Sequence, residues 1–337
     1  MADPDVTIVV VTYEHADEIG ACLDGAARQE QRGLHCEIVV VDNASGDDTV
    51  AVIAGRGDGV RLLARDRNPG FADGVNTGVA AGTGRHVLLL NPDAVMEPGC
   101  VAALVAHVDA TPDCGAAAAL LRNLDGGEQH FGRRRLSLPG LLWDVTRWGR
   151  ERDAARRGDR GHAHRRYHDV DLDGASAPVR VDEAAAACLL LRRADLPDPP
   201  LDPRFPLMLN DSDLYADLRA RGLHCDVVPA AVALHGYGTS LLRLDQAANR
   251  AEVVAAIRRY TRKHWPWWRA LAGDAVLLWD AITTAAAYLR GGRQDYLARK
   301  NVQGILGGFG LPRGVKPWLS EPRLLRPLRP EMGDRGR

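Results

Sequence analysis

The first third of the chain alternates two hydrophobic patterns. "VTIVVVTY" (Val6–Tyr13) is an unbroken β-branched run, the pattern of a parallel strand covered on both faces. The stretch from about Asp17 to Arg28 has helical spacing. "CEIVVVDNAS" (Cys36–Ser45) is a second buried strand that ends in polar residues. "SGDDTVAVIAG" predicts a helix with acidic residues in its first turn, where they suit the helix dipole. "GVRLLAR" predicts a short third strand, "NPGFADGVNTGVAAGTG" a Gly-rich loop entering a small-residue helix, and "RHVLLLNPDAV" a fourth strand. Strands alternating with helices predict a doubly wound, mostly parallel α/β sheet. Ligands of such sheets bind outside the carboxyl ends of the strands. Three strands end there in polar residues: Thr12-Tyr13-Glu14, Asp42-Asn43 and Asn91-Pro92-Asp93. One polar strand end is punctuation; three on one edge point to a site.

Between about Arg122 and Val179 the periodicity is lost. The Arg-rich segment Arg147–His168 has two readings, a solvated flexible loop or a mobile loop that closes over an anionic ligand. Strand-like apolar residues resume in "VRVDEAAAACLLLRRADL". "FPLMLNDSDLYADLRARG" predicts a turn and then a helix, and "CDVVPAAVALHGYGTS" a strand ending at His235 and a Gly-rich turn. Residues from about Leu244 to Lys263 have helical spacing, and a second, Trp-rich helix follows. Arg269, Asp274 and Asp280 interrupt that second helix, so it is not expected to span a bilayer; it packs on the body or lies on a membrane surface. The predicted organisation is a nucleotide-binding half at 1–125 and a second half at 126–243 that carries the Arg-rich loop 147–168. A C-terminal helical region at 244–311 and a tail at 312–337 without expected order follow.

Composition narrows the function classes. A formal net charge of −1 over 337 residues argues against a strongly basic nucleic-acid binder. The six cysteines, Cys22, Cys36, Cys100, Cys114, Cys188 and Cys225, form no CxxC pair, so neither a zinc ribbon nor a redox motif is visible, and reduced core residues are expected. "MADPDVTIVVVTYE" has no basic n-region and no cleavage-like site, and no window of about twenty residues is free of charge. A cytoplasmic protein is expected, with the inner face of the membrane as the peripheral alternative through the Trp-rich helix. Self-association into an oligomer stays open.

Seven segments, in order, resemble a family-2 glycosyltransferase, an inverting enzyme of the GT-A fold, and most of all the branch of rhamnosyl- and galactofuranosyl-type transferases. They are "VTIVVVTYEHADEI", "IVVVDNASGDDT", "NPGFADGVNTGVAAG", "LLLNPDAV", "VDEAAAACLLLRR", "FPLMLNDSDLYADLRARG" and "ALHGYGTS", and they cover roughly Val6 to Ser240. The resemblance implies a GT-A domain joined to an acceptor-binding half, a dTDP- or UDP-sugar donor, and a glycan, lipid-linked or small-molecule acceptor. It also implies Mg²⁺ or Mn²⁺ held by Asp93, with His235 as second ligand; a histidine that merely closes a strand is the plainer reading of His235. Thr12, Tyr13 and Glu14 would lie near the base or ribose, and Asp42 on the base edge unless it caps the following helix. Asn68, Gly70, Asn76 and Asn91 would complete the nucleotide site, with Gly70 and Gly74 allowing close backbone approach.

An inverting transfer needs a carboxylate to take the acceptor proton, and by position that base is Asp211. Asp213, two residues on, suits the first helical turn or an acceptor contact. The chain departs from the family pattern in three places: Asn210 replaces the usual Glu beside the base, Ala186 stands where Gly is common, and Glu183 where an aromatic is typical. These departures bear on acceptor and donor-sugar specificity, and Ala186, Asn210 and Asp213 would lie in the acceptor region. They keep a second reading alive, a non-catalytic or specialised nucleotide-sugar-binding member of the family. A nucleotidyltransferase is disfavoured, because "TYEHADE" after the first strand is acidic rather than a basic phosphate loop.

Overall fold

The computed structural model describes residues 4–29, 34–57, 59–127, 129, 131–149, 151–152, 170, 172, 174–236, 246–290 and 296–310. Most of the Arg-rich segment, from 153 to 168, and the tail from 311 onward lie outside the described residues. Internal contacts divide the chain into Met1–Gly140 with Arg160–Tyr237, and Leu141–Asp159 with Gly238–Arg337.

The first unit is built on β1 (Val6–Thr12), β2 (Cys36–Asp42), β3 (Arg61–Ala64) and β4 (His86–Leu90), with α1 (Ile19–Ala27), α2 (Thr49–Ala54) and α3 (Phe71–Ala81) between them. Next come β5 (Ala94–Met96), α4 (Cys100–Ala110), β6 (Cys114–Arg122), β7 (Gly132–Arg133), β8 (Val179–Val181), β9 (Glu183–Ala184) and β10 (Cys188–Arg192). The unit closes with α5 (Asn210–Ala220) and β11 (His224–His235). The main sheet runs β3-β2-β1-β4-β10-β6-β11-β5, with β8 also on β11. The β3-β2-β1-β4 half is parallel, β10 runs against its neighbours, and β6 and β11 return to the first direction.

Every residue of β1 and β4 is buried, which is why their sequences are continuous rather than alternating. The small residues of α3 let it sit directly on β1. A Cβ on Gly74 would come within 2.6 Å of Val11 Cγ1, and one on Gly78 within 2.4 Å of Val9 Cγ1. All six cysteines are buried thiols. One local expectation is corrected: α2 begins at Thr49, so Asp47 and Asp48 precede its first turn. Asp47 Oδ1 accepts the Thr49 N–H at 3.1 Å there, because a short side chain just ahead of a helix reaches its free N–H groups.

The second unit contains α6 (Gln246–His264), α7 (Trp267–Arg290) and α8 (Tyr296–Gly308). Pro266 separates α6 from α7, since it has no N–H to continue the first helix. Within this unit Arg250 pairs with the buried Asp280 at 2.7 Å, and Trp148 packs edge-on against Trp279 at 5.5 Å.

Candidate active site

The strand directions put the carboxyl ends of β1, β2, β4 and β11 on one edge of the sheet. Antiparallel pairing sets Ala94 of β5 opposite His235 of β11. Asp93, one residue earlier, therefore meets the imidazole, with Oδ1 3.4 Å from Nε2 and both side chains buried. The strand that ends in Asn91-Pro92-Asp93 delivers its carboxylate to a second titratable group rather than to a solvated turn.

The neighbours of His235 fix its tautomer. Gln129 spans it: Gln129 Nε2 donates to the His235 backbone carbonyl at 2.6 Å, so Gln129 Oε1, 3.1 Å from Nδ1, is left to accept the ring N–H. In the neutral ring Nε2 carries the lone pair, and it stands 3.2 Å from Asn91 Nδ2. Two acceptors, Nε2 and Asp93 Oδ1, thus face each other in a buried place, an arrangement that favours a cation between them. Two donors each about 2.1 Å from one ion and at right angles lie about 3.0 Å apart, so a 3.4 Å separation fits with a small adjustment. The Asn91 N–H also donates to Ala187 at 2.9 Å, which sets the Ala184–Ala187 stretch, and Ala186 in it, beside this turn.

Thr12 and Asp42 are register partners at the ends of β1 and β2. Thr12 Oγ1 is buried without a hydrogen-bond partner among the described residues. Burial, and then the neighbouring Glu14 carboxylate, push the Tyr13 hydroxyl up to about 12, so it stays protonated as a donor. Asp42 is engaged by Ser45: Oδ2 accepts the Ser45 N–H at 2.9 Å and Oδ1 its hydroxyl. Ser45 Oγ also accepts the Glu14 N–H at 2.9 Å, so one serine ties the two strand ends together. Among the described residues, the non-glycine positions with positive φ are Glu14, Ala44 and Leu209. All three flank this edge, and held strain of this kind clusters at functional sites.

Gly70 and Asn76 meet the segment before α5, and Asn68 steadies Gly70. Asn68 Oδ1 accepts the Gly70 N–H at 3.1 Å. Gly70 has φ 111°, and a Cβ there would stand 2.7 Å from Pro206. The Pro206 carbonyl accepts from Phe71 N (2.6 Å) and Ala72 N (3.2 Å), which satisfies the free N–H groups at the start of α3. Asn76 grips the backbone of Leu201 from both sides, donating to its carbonyl and accepting its N–H, each at 2.8 Å.

At the start of α5, Asn210 donates to the Leu207 carbonyl at 2.8 Å and is buried, as is Asp213; Asp211 is half-buried. Asp211 Oδ1 accepts the Ser212 N–H at 2.8 Å. Ser212 Oγ donates in turn to Glu183 Oε2 at 2.6 Å. Glu183 Oε1 is buried without a hydrogen bond among the described residues, with Arg219 Nη2 3.9 Å away. Burial, and to a smaller degree the Asp211 charge, hold the Glu183 carboxyl above the usual carboxylate range.

Gln129, Ser45, Pro206 and the Glu183–Ser212 pair take part in this site, and the sequence reading did not find those roles. Gln129 and Pro206 lie in loops without periodicity. Glu183 carried a signal as a departure from the family pattern, without a partner to give it meaning. A separate group with ligand chemistry, His107, Cys114 and Asp226, brings its donor atoms within 4.8 Å of one another. It lies at the opposite ends of β6 and β11, nine residues before His235, on the order of 25–30 Å away along the strand.

Residues 7–168 match the profile of Glycosyl transferase family 2. The match covers just under half of the chain, which over that stretch is similar to this family of glycosyltransferases. It is 26% identical over 283 residues to the N-acetylglucosaminyl-diphospho-decaprenol L-rhamnosyltransferase of Mycobacterium tuberculosis, covering 78% of this chain and 86% of that protein. It is 40% identical over 108 residues to the succinoglycan biosynthesis protein ExoO of Rhizobium meliloti, but that match spans 32% of this chain and only 30% of the relative. Among solved structures, the mannosyltransferase PcManGT from Pyrobaculum calidifontis, in complex with GDP-Man and Mn²⁺, superposes with a TM-score of 0.52 at 18% identity over 91% of this chain and 86% of that one. That likeness establishes the shared GT-A architecture.

Proposed function

We propose that this family-2 glycosyltransferase moves a sugar from a dTDP- or UDP-sugar to an acceptor hydroxyl with inversion. The observation that carries the reading is the pair of facing acceptors, Asp93 Oδ1 and His235 Nε2 at 3.4 Å. That donor set suits Mn²⁺ or Mg²⁺, and a bound ion would neutralise the diphosphate as it leaves. Asp42 and the Tyr13 hydroxyl flank the nucleoside. Asp211 takes the acceptor proton: Oδ1 is steadied by the Ser212 N–H, and Oδ2 has no hydrogen bond among the described residues. The acceptor is a glycan, a lipid-linked glycan or a small molecule. The rhamnosyltransferase relative, named for a lipid-linked diphosphate acceptor, favours the lipid-linked class.

The alternative, a nucleotide-sugar-binding protein without transfer, is favoured by Asn210 in place of Glu. Asn210 is spent on the Leu207 carbonyl, however, and leaves Asp211 in place. Single-turnover transfer by Asp211→Asn and Asp213→Asn, with donor affinity alongside, decides between them. Asp211→Asn is expected to keep donor affinity while transfer falls by roughly two to four powers of ten. Parental transfer by Asp211→Asn removes it as the base, and absence of transfer by the parent across a nucleotide-sugar screen favours the binding protein.

A further inference from the structure

The outward face of α7 has a composition unlike the rest of the surface. Among the described side chains of this helix, Trp267 (76% exposed), Trp268 (58%), Leu271 (56%), Leu278 (37%) and Ile282 (67%) are the large hydrophobic residues left open. At 100° per residue they fall within an arc of roughly 100°, and the stripe runs about 23 Å along the axis. Scattered exposed leucines are ordinary; a continuous stripe headed by two tryptophans is not.

The charges around it are sorted by sign. Residues 246–290 hold seven Arg and Lys against three Asp and Glu, a net charge of +4 within a chain of net −1. The three carboxylates are all paired: Glu252 with Arg259 at 2.9 Å, Asp274 with Arg262 at 2.6 Å, and Asp280 with Arg250 at 2.7 Å. Asp280 lies on the far side of α7 and Glu252 on α6, while Asp274 borders the stripe, about 20° outside its edge, with its charge matched by Arg262. Arg262 and Lys263 are exposed at the end of α6, next to the tryptophans, and Arg269 stacks over Trp265 at 4.5 Å. No helix among the described residues is long and apolar enough to cross a membrane. Tryptophan and aliphatic side chains beside cations, on a helix that does not span, match the interfacial zone of a bilayer with anionic headgroups.

We infer that α7 docks the protein flat on an anionic phospholipid surface, inserting Trp267, Trp268, Leu271, Leu278 and Ile282 among the headgroups with Arg262 and Lys263 on the phosphates. The inference does not depend on sugar transfer, because binding is read without donor or acceptor. The full chain is sedimented with vesicles of phosphatidylcholine alone and with one quarter phosphatidylglycerol, and tryptophan quenching by brominated lipid is followed. Strong binding to the anionic vesicles and weak binding to the neutral ones are expected, with quenching only in the bound state. Trp267→Ser with Trp268→Ser changes only exposed positions. It should weaken partitioning by on the order of tenfold or more, and Leu278→Gln with Ile282→Gln should do so by a similar factor. Arg262→Gln with Lys263→Gln should flatten the difference between the two vesicle types. No binding by the parent at low salt overturns the inference. So does binding that survives both apolar double substitutions, or that disappears only when residues 311–337 are removed. A concentration-dependent dimer abolished by the same substitutions, without vesicle binding, assigns the face to a second copy of this chain instead.

Discussion

Replacing Gln129 tests whether His235 is held for a cation. In the parent the amide makes two contacts with one residue, accepting from Nδ1 at 3.1 Å and donating to the backbone carbonyl at 2.6 Å. Gln129→Met keeps the length and burial and removes both. The ring then loses the partner that keeps the proton on Nδ1, and rotation or tautomer exchange turns the Nε2 lone pair away from Asp93. Partners of this kind are worth ten- to a hundredfold in metal affinity, about 1.4–2.7 kcal/mol. Stability falls too, by about 1–3 kcal/mol for each buried group left unpaired. A second variant separates the two effects. Gln129→Glu still accepts from Nδ1 but cannot donate to the carbonyl, so it should stay destabilised while recovering most of the metal affinity. The assay is a Mn²⁺ titration followed by electron paramagnetic resonance, with nucleoside diphosphate present and thermal melts alongside. Folded Gln129→Met that binds Mn²⁺ and nucleotide as tightly as the parent would refute the cation reading. Equal weakening in the Met and Glu variants would reduce Gln129 to packing.

Two further outcomes follow from buried contacts. Because the folded pKa of Glu183 is raised above its reference value of 4.5, the folded state holds its proton more tightly than the unfolded chain. Stability from this group is therefore present below 4.5 and lost as pH rises through the folded value, so Glu183→Gln should melt above the parent at pH 7–8 and show no advantage below pH 4.5; a parental melting curve at every pH refutes this. Gly70→Ala should lower stability by at least 1–3 kcal/mol in a denaturant titration, since it adds a Cβ at φ 111° and 2.7 Å from Pro206; an unchanged midpoint refutes the close approach.

Elements whose stabilising partners lie in their own pattern were legible in the sequence. β1, β2 and β4 announced themselves as β-branched or leucine runs because burial on both faces leaves no polar position. Their polar ends marked the edge on which Asp93 and His235 meet. Residues 144 positions apart in sequence, such as Asn91 and His235, could be named as candidates, but only the antiparallel seating of β5 on β11 makes them neighbours. Gln129 was not readable, because a loop amide acquires its role from the imidazole that happens to lie beneath it. Asn76 was expected to face the nucleotide; its amide is occupied by Leu201, a partner set by tertiary packing alone. The acidic residues expected in the first turn of α2 precede it instead, for the same reason, since Asp47 also receives the Ala16 N–H at 3.2 Å.

The Leu201–Pro206 backbone is fastened to α3 at both ends, at one by the two-way grip of Asn76 and at the other by the carbonyl that closes the N-terminus of the helix. Four residues later α5 begins, and with it Asp211. Helix α3 and the segment that leads into α5 are therefore tied together at two points, assembled when the chain folds. Displacing this segment together with the start of α5 would strip the first turn of α3 of its acceptor and leave Leu201 without its clamp, so the place of Asp211 relative to α3 is inherited from folding.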